Sequence, residues 1–315
     1  MGTLHLLPDV AAGGPTLGHA VGQFLAGQTN PNTLRAYRTA LHGLRDELGA
    51  DTPLAVLDTD QGADAVAAWF LGRWGDAAPA TVNVRIDALR SAGAWWRDQG
   101  TGWITTDPAR RLQRRGAPPP RDRAIDRAVL LDFLAQPELP LRERTLYRLL
   151  YESAARTEEV LGLDVPDLDR PNRRSPVRRK GGAQDVITWQ TGTARLLPRL
   201  LEGRTAGPLF LTHRRARVEL APADVDRASG RARLSYRRAE ELLAELTTGE
   251  PGGPWELHWL RHSALTHAAE DGASSAMLMS LSGHTNVRSV GRYARVSAAA
   301  LARWQAERDP AARRR

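Results

Sequence analysis

A chain of 315 residues with 42% apolar side chains has enough material for two domains, each burying a core of its own. The absence of cysteine excludes disulfide frameworks, thiolate metal sites and a cysteine nucleophile, and no run of about 18 apolar residues offers a membrane span. A formal charge of +8 suits a polyanionic partner, because Lys and Arg displace condensed counterions from nucleic acid.

The opening MGTLHLLPDVAAGG lacks the basic and apolar regions of a signal peptide, which predicts a cytoplasmic protein. Of the 44 basic residues, Lys180 alone is a lysine. A position that keeps lysine where arginine has taken every other place calls for a property arginine lacks, and a tunable proton is one.

The segment 16–112 reads as helices. After Thr29 and Asn30, with Pro31 in the first turn, Leu34, Tyr37, Leu41, Leu44 and Leu48 recur at spacings of three and four and make one apolar face. The same helix sets Arg35, Arg38, His42 and Arg45 on another side, either as a solvated charge face or as a face lying on DNA phosphates. A second amphipathic helix runs from Pro79 to Gln99 on Val82, Ile86, Leu89 and Trp96, with Arg85, Arg90 and Arg97 expected to be exposed. Trp69 and Trp74 fall in the helix before it and read as core.

From Asp107 to Asp122 a proline triplet, Gly116 and a run of arginines interrupt all apolar periodicity, as in an interdomain linker or a surface loop. Helical patterns resume at 127–136 and 142–162. A short β region follows from Val177 to Trp189, with Lys180-Gly181-Gly182 as its turn. Further helices are predicted at 191–202, 234–246, 258–271 and 274–282, and a tail helix from Ala298 to about Glu307.

Four of the eight histidines lie between 258 and 284. His258 and His262 have the i, i+4 spacing of a zincin helix, but Trp259 stands where that motif needs its glutamate. In the other reading, His258 and Arg261 are neighbours on one helix face and hold an anionic oxygen together. HWLRH, then SGH, then Tyr293 nine residues after His284, resembles the second conserved block of the tyrosine recombinase, or phage integrase, family. Upstream, LLYESAARTEEVLGLDVPDLD resembles the family's first block and supplies Arg156 and Glu159. Lys180 falls at the position of its catalytic lysine, and TNPNTLRAYRTAL is similar to its core-binding domain. Departures are Ser282 before the Gly-His pair, Ser289 and Val290 in place of a Thr pair, and Arg295 after the tyrosine.

The resemblance implies a mainly α fold: an N-terminal helical (SAM-like) core-binding domain plus an α+β catalytic domain of the DNA breaking-rejoining type, forming a C-shaped clamp. Its divisions would be a short extension at 1–15, the core-binding domain at 16–112, a basic linker at 113–122, the catalytic domain at 123–297, and a C-terminal helix and basic tail at 298–315. The short start would leave no room for a separate arm-binding domain. The implied catalytic set is Arg156, Lys180, His258, Arg261, His284 and Tyr293, with Glu159 in support, as orienter of Arg156 or as a structural ion pair. Arg35, Arg38, Arg45 and Arg85 are the candidate DNA contacts. Double-stranded DNA sites, a homotetramer with exchange of the C-terminal helix, and no metal, ATP or other cofactor complete the expectation; in the other reading of the tail helix, Leu301 and Trp304 pack within their own chain.

Chemistry supports these roles. Attack on a phosphodiester builds negative charge on the nonbridging oxygens, which two guanidiniums, Arg156 and Arg261, can match without a metal. A phenol with a pKa of about 10 needs a base at neutral pH, for which His258 is the candidate, while His284 bonds a phosphoryl oxygen. The departing 5′ oxygen needs a proton, which lysine gives more readily than arginine. Competing readings are a type IB topoisomerase-like relaxing enzyme, a noncatalytic DNA-binding relative and a metallohydrolase.

Overall fold

The computed structural model describes residues 14–98, 102–116, 123–179, 182–291, 293, 301–302, 304–306 and 309. Contacts divide the chain into two units, Met1–Arg121 and Asp122–Arg315.

In the first unit, α1 (Leu17–Ala26), α2 (Pro31–Leu48), α3 (Asp60–Trp74) and α4 (Pro79–Asp98) pack round one core. Their starts are written locally. Thr16, Asn30 and Thr59 each accept a backbone N–H of the first turn, and Pro31 sits where a missing N–H costs nothing. Trp96 is fully buried and donates from its indole nitrogen to the Ala20 carbonyl at 3.1 Å, which ties α4 to α1. Trp69 is core, as expected, and Trp74 packs half-buried against the same core.

Residues 102–116 stay on this unit. Arg110 donates to the carbonyls of Leu57, Asp58 and Thr59, and Asn83 exchanges hydrogen bonds with the Arg115 backbone. Attachment therefore persists through the first residues of the segment 113–122, and 117–122 lie outside the described residues.

In the second unit, α5 (Arg127–Ala135) and α6 (Leu141–Ser153) are followed by α7 (Thr157–Leu161), the antiparallel pair β1 (Arg174–Arg178) and β2 (Gln184–Thr188), and α8 (Thr191–Leu201). A second antiparallel pair, β3 (Leu211–Arg215) and β4 (Arg231–Arg233), precedes α9 (Tyr236–Leu246), α10 (Leu257–Glu270), α11 (Ser275–Ser282) and α12 (Val287–Val290). Helix α6 is central: it lies against α8 and α10, and Leu146, Tyr147, Leu149 and Leu150 are all within 1% exposure.

The single helix expected over 142–162 is two. Ala154 takes a left-handed conformation (φ 49°) that ends α6, and Arg156, in extended conformation, opens α7. The β3/β4 pair and α12 were not legible in the sequence. Of the expected tail helix, 301–302 and 304–306 are helical, and 298–300, 303 and 307 lie outside the described residues. Among the described residues no helix is long and apolar enough to cross a membrane.

Candidate active site

The break between α6 and α7 creates the first wall of the site. Glu159, in the first turn of α7, accepts the Arg156 backbone N–H at 2.9 Å and the Arg156 guanidinium at 2.8 Å. That reciprocal pair satisfies a helix-start donor and points the guanidinium outward, where its side chain is 38% exposed.

Helix α10 supplies the second wall. His258, Arg261 and His262 share one face at i, i+3 and i+4. Arg261 reaches across to the Ala154 carbonyl and donates to the Ser282 carbonyl at 2.7 Å, with His284 Nε2 at 3.4 Å from the same nitrogen. It thereby joins the α6–α7 break to the end of α11. Burial, with the Arg156 guanidinium adding to it, pushes the Arg261 pKa down to about 10. A buried guanidinium with a second, more exposed one beside it favours an anion between them.

The third wall is the turn after α11. Gly283 ends that helix in a left-handed conformation (φ 61°) with its N–H on the Met279 carbonyl, and so delivers His284 to the pocket. One short helix later, Tyr293 returns. Its ring is buried with Ala154, Ala264, Leu265 and Leu278, and its hydroxyl lies 3.1 Å from His262 Nδ1. Arg156, His258, Arg261, His262, His284 and Tyr293 line one cavity of about 350 Å³. The geometry thus brings together five members of the sequence-derived set. Lys180 lies outside the described residues, as does Arg295.

Two details differ from expectation. The imidazole that meets the phenol is His262, whereas His258 Nε2 accepts from Arg123 Nη1 at 2.8 Å and its Nδ1 faces the Glu256 carboxylate at 3.3 Å. In addition, the sequence did not single out Arg179. Its side chain, 7% exposed, donates to Glu159 at 2.9 Å, to Asp185 at 2.9 Å and to the Ser282 carbonyl at 3.2 Å. It stands immediately before Lys180 and fastens the end of β1 to the Arg156–Glu159 pair and to the turn that carries His284. In a chain this rich in arginine no local signal marks it.

The candidate DNA-contact residues divide. Arg35 and Arg38 are exposed on α2, and Arg45 pairs with the neighbouring Asp46 at 2.6 Å. Arg85 is half-buried rather than exposed: it donates to the Ala36 carbonyl at 2.6 Å and lies over the Trp74 ring at 5.9 Å. Arg90 is likewise half-buried, with Leu112 and Asp107 as partners, and Arg97 is half-buried too. Among the described residues, no group of three His, Cys, Asp or Glu side chains is arranged to hold a metal ion.

Residues 125–300 match the Phage integrase family, and the chain belongs to it. It is 31% identical over 280 residues to the tyrosine recombinase XerC of Mycobacterium bovis (strain BCG / Pasteur 1173P2), with 83% of this chain and 90% of the relative covered. The XerC of Mycobacterium sp. (strain JLS) is 32% identical over 282 residues, covering 86% and 90% of the two chains. Among solved structures, the Tn1549 transposon integrase in complex with a circular intermediate DNA superposes with a TM-score of 0.67 at 15% identity, over 93% of this chain and 99% of that one. The XerH recombinase bound to its difH substrate does so at 0.63 and 14% identity, over 96% and 98%. The fold is the mainly helical one of these recombinases, and the protein is a tyrosine-type site-specific DNA recombinase.

Proposed function

We propose that Tyr293 attacks a DNA phosphodiester to form a 3′-phosphotyrosyl ester and release a 5′-hydroxyl, and that attack by the partner strand's 5′-hydroxyl reverses the step. The observation that carries this reading is the cavity in which the Tyr293 hydroxyl shares space with Arg156, Arg261 and His284. In that cavity the two guanidiniums meet the charge that develops on the nonbridging oxygens, and His284 adds a third hydrogen bond there. Glu159 orients Arg156, and Lys180 protonates the leaving oxygen. The ester conserves the bond energy, so neither ATP nor a divalent metal enters.

Partners are double-stranded recombination sites, gripped in part through exposed Arg35 and Arg38 on α2. The working assembly is a homotetramer on two sites, with the C-terminal helix docking on the neighbouring protomer. Excision, integration or resolution of a mobile element or plasmid fits such a chain; the supporting relatives are XerC recombinases and a transposon integrase.

The test is a pool of nicked duplexes with a randomised core, from which covalent complexes are recovered under denaturing conditions. A protein–DNA adduct that forms in EDTA and is abolished by Tyr293→Phe is expected. An adduct that survives Y293F would overturn the nucleophile assignment.

A further inference from the structure

We propose that His262, rather than His258, is the general base that takes the proton of Tyr293. This rests on Tyr293 being the nucleophile and names the proton acceptor within that reading. The phenolic oxygen is 3.1 Å from His262 Nδ1, and the two rings lie 5.3 Å apart between centroids at an interplanar angle of 56°. A general base must lie within hydrogen-bond reach of the proton it removes, and His262 does.

The lone pair of His258 is turned elsewhere. Its Nε2 accepts from Arg123 Nη1 at 2.8 Å, and its Nδ1 points at Glu256. Such a ring has its proton on Nδ1 and its acceptor nitrogen engaged by a guanidinium. It shapes the pocket, with its centroid 5.8 Å from that of His262, while the acceptor facing the phenol belongs to the next turn of the helix.

Around His262 the titratable and charged groups of the same pocket are Arg156 and Glu158 at the start of α7, Tyr236 at the start of α9, His258 and Arg261 on its own helix, and His284. The step balances as follows. The Tyr293 oxygen forms a bond to phosphorus while the phosphorus–O5′ bond breaks. The phenolic proton passes to His262 Nδ1, and the 5′ oxygen takes a proton from the general acid. On rejoining, the imidazolium returns its proton to Tyr293 as that side chain leaves.

The experiment is single-turnover adduct formation on a nicked duplex selected as above, followed from pH 5 to 9. In the wild-type protein the rate rises with pH and levels off once the acceptor imidazole is fully deprotonated. His262→Asn keeps a polar side chain beside the phenol but no base; its rate is expected to fall by roughly 10²-fold or more at pH 7.5 and to climb without levelling toward the pKa of tyrosine, about 10. His258→Asn is slowed but keeps the plateau. His262→Ala is expected to recover rate in proportion to added imidazole, a response that a merely structural role would not produce.

A plateau retained by H262N, a plateau lost in H258N alone, or H262A unresponsive to imidazole would each overturn the assignment. No adduct at all from the wild-type protein would instead defeat the Tyr293 reading itself.

Discussion

Arg179 fills the space that a side chain on Gly283 would need: a Cβ built there would stand 2.3 Å from Arg179 Cζ and 2.5 Å from its Nε. The glycine is also left-handed at φ 61°, a conformation that costs other residues about 1 to 2 kcal/mol. Gly283→Ala therefore meets two penalties at once, and the guanidinium must leave Glu159 or the Ser282 carbonyl. Adduct formation on the selected duplex is expected to drop at least about tenfold, with the melting temperature lowered by several degrees. Unchanged values would show that Arg179 has a second seat of equal energy.

The complementary change is Arg179→Lys. An ammonium is a compact point charge and cannot reproduce a fork that serves Glu159, Asp185 and the Ser282 carbonyl together. The Glu159 carboxylate, 5% exposed, would then be short of a partner, and losing half of a buried ion pair costs about 3 to 5 kcal/mol. Substituting lysine keeps the charge, so the expected loss is smaller than for Arg179→Met. DNA affinity measured by electrophoretic shift should change little, whereas cleavage should slow at least about tenfold. Equal loss of binding and cleavage would mean that Arg179 contacts DNA instead of positioning the site.

Local physics made much of this legible. Helix α2 announces itself through Asn30, Pro31 and the leucine spacing, and the structure keeps those bounds. The break after α6 does not: nothing near Ala154 and Ala155 forbids a helix. It arises from partners distant in sequence, since Arg261 claims the Ala154 carbonyl from α10 and helps to offset the left-handed turn. His262 carried a visible signal, its i+4 spacing from His258, but that spacing fits metal binding as well as a base. The β3/β4 pair shows little apolar alternation, because Thr212 to Arg215 are largely exposed; its turn is fixed by Asp226 accepting from Ser229.

The arginines of the first unit should separate by salt. Arg38 is exposed on α2, whereas Arg85 donates to the Ala36 carbonyl and covers Trp74. If Arg38 meets a phosphate, Arg38→Ala lowers the slope of log affinity against log salt by about 0.9, with thermal stability unchanged. Arg85→Ala is expected to cost about 1 to 3 kcal/mol of stability in the first unit, through the lost hydrogen bond and ring contact, with little change in slope. An unchanged slope for R38A would remove that residue from the interface.

Stability should fall on the acid side, and His267 is one cause. Buried between α6 and the start of the second unit, it receives the Tyr151 hydroxyl on Nδ1 at 2.9 Å and donates from Nε2 to the Ile125 carbonyl at 3.1 Å. That arrangement needs the neutral ring. Burial, with the Arg127 charge adding to it, holds its pKa below the usual imidazole value. The folded state therefore binds the proton less readily than the unfolded chain. The contribution is complete above the unfolded value of about 6.5 and is lost as pH falls from there through the folded pKa, at no more than about 1.4 kcal/mol per pH unit. His267→Gln offers a neutral acceptor and a neutral donor at similar positions. The drop in urea midpoint between pH 7.5 and pH 5.5 should shrink in H267Q relative to the wild-type protein. An identical drop in both would assign the acid sensitivity to other groups, with His258, also lowered by burial, the next to substitute.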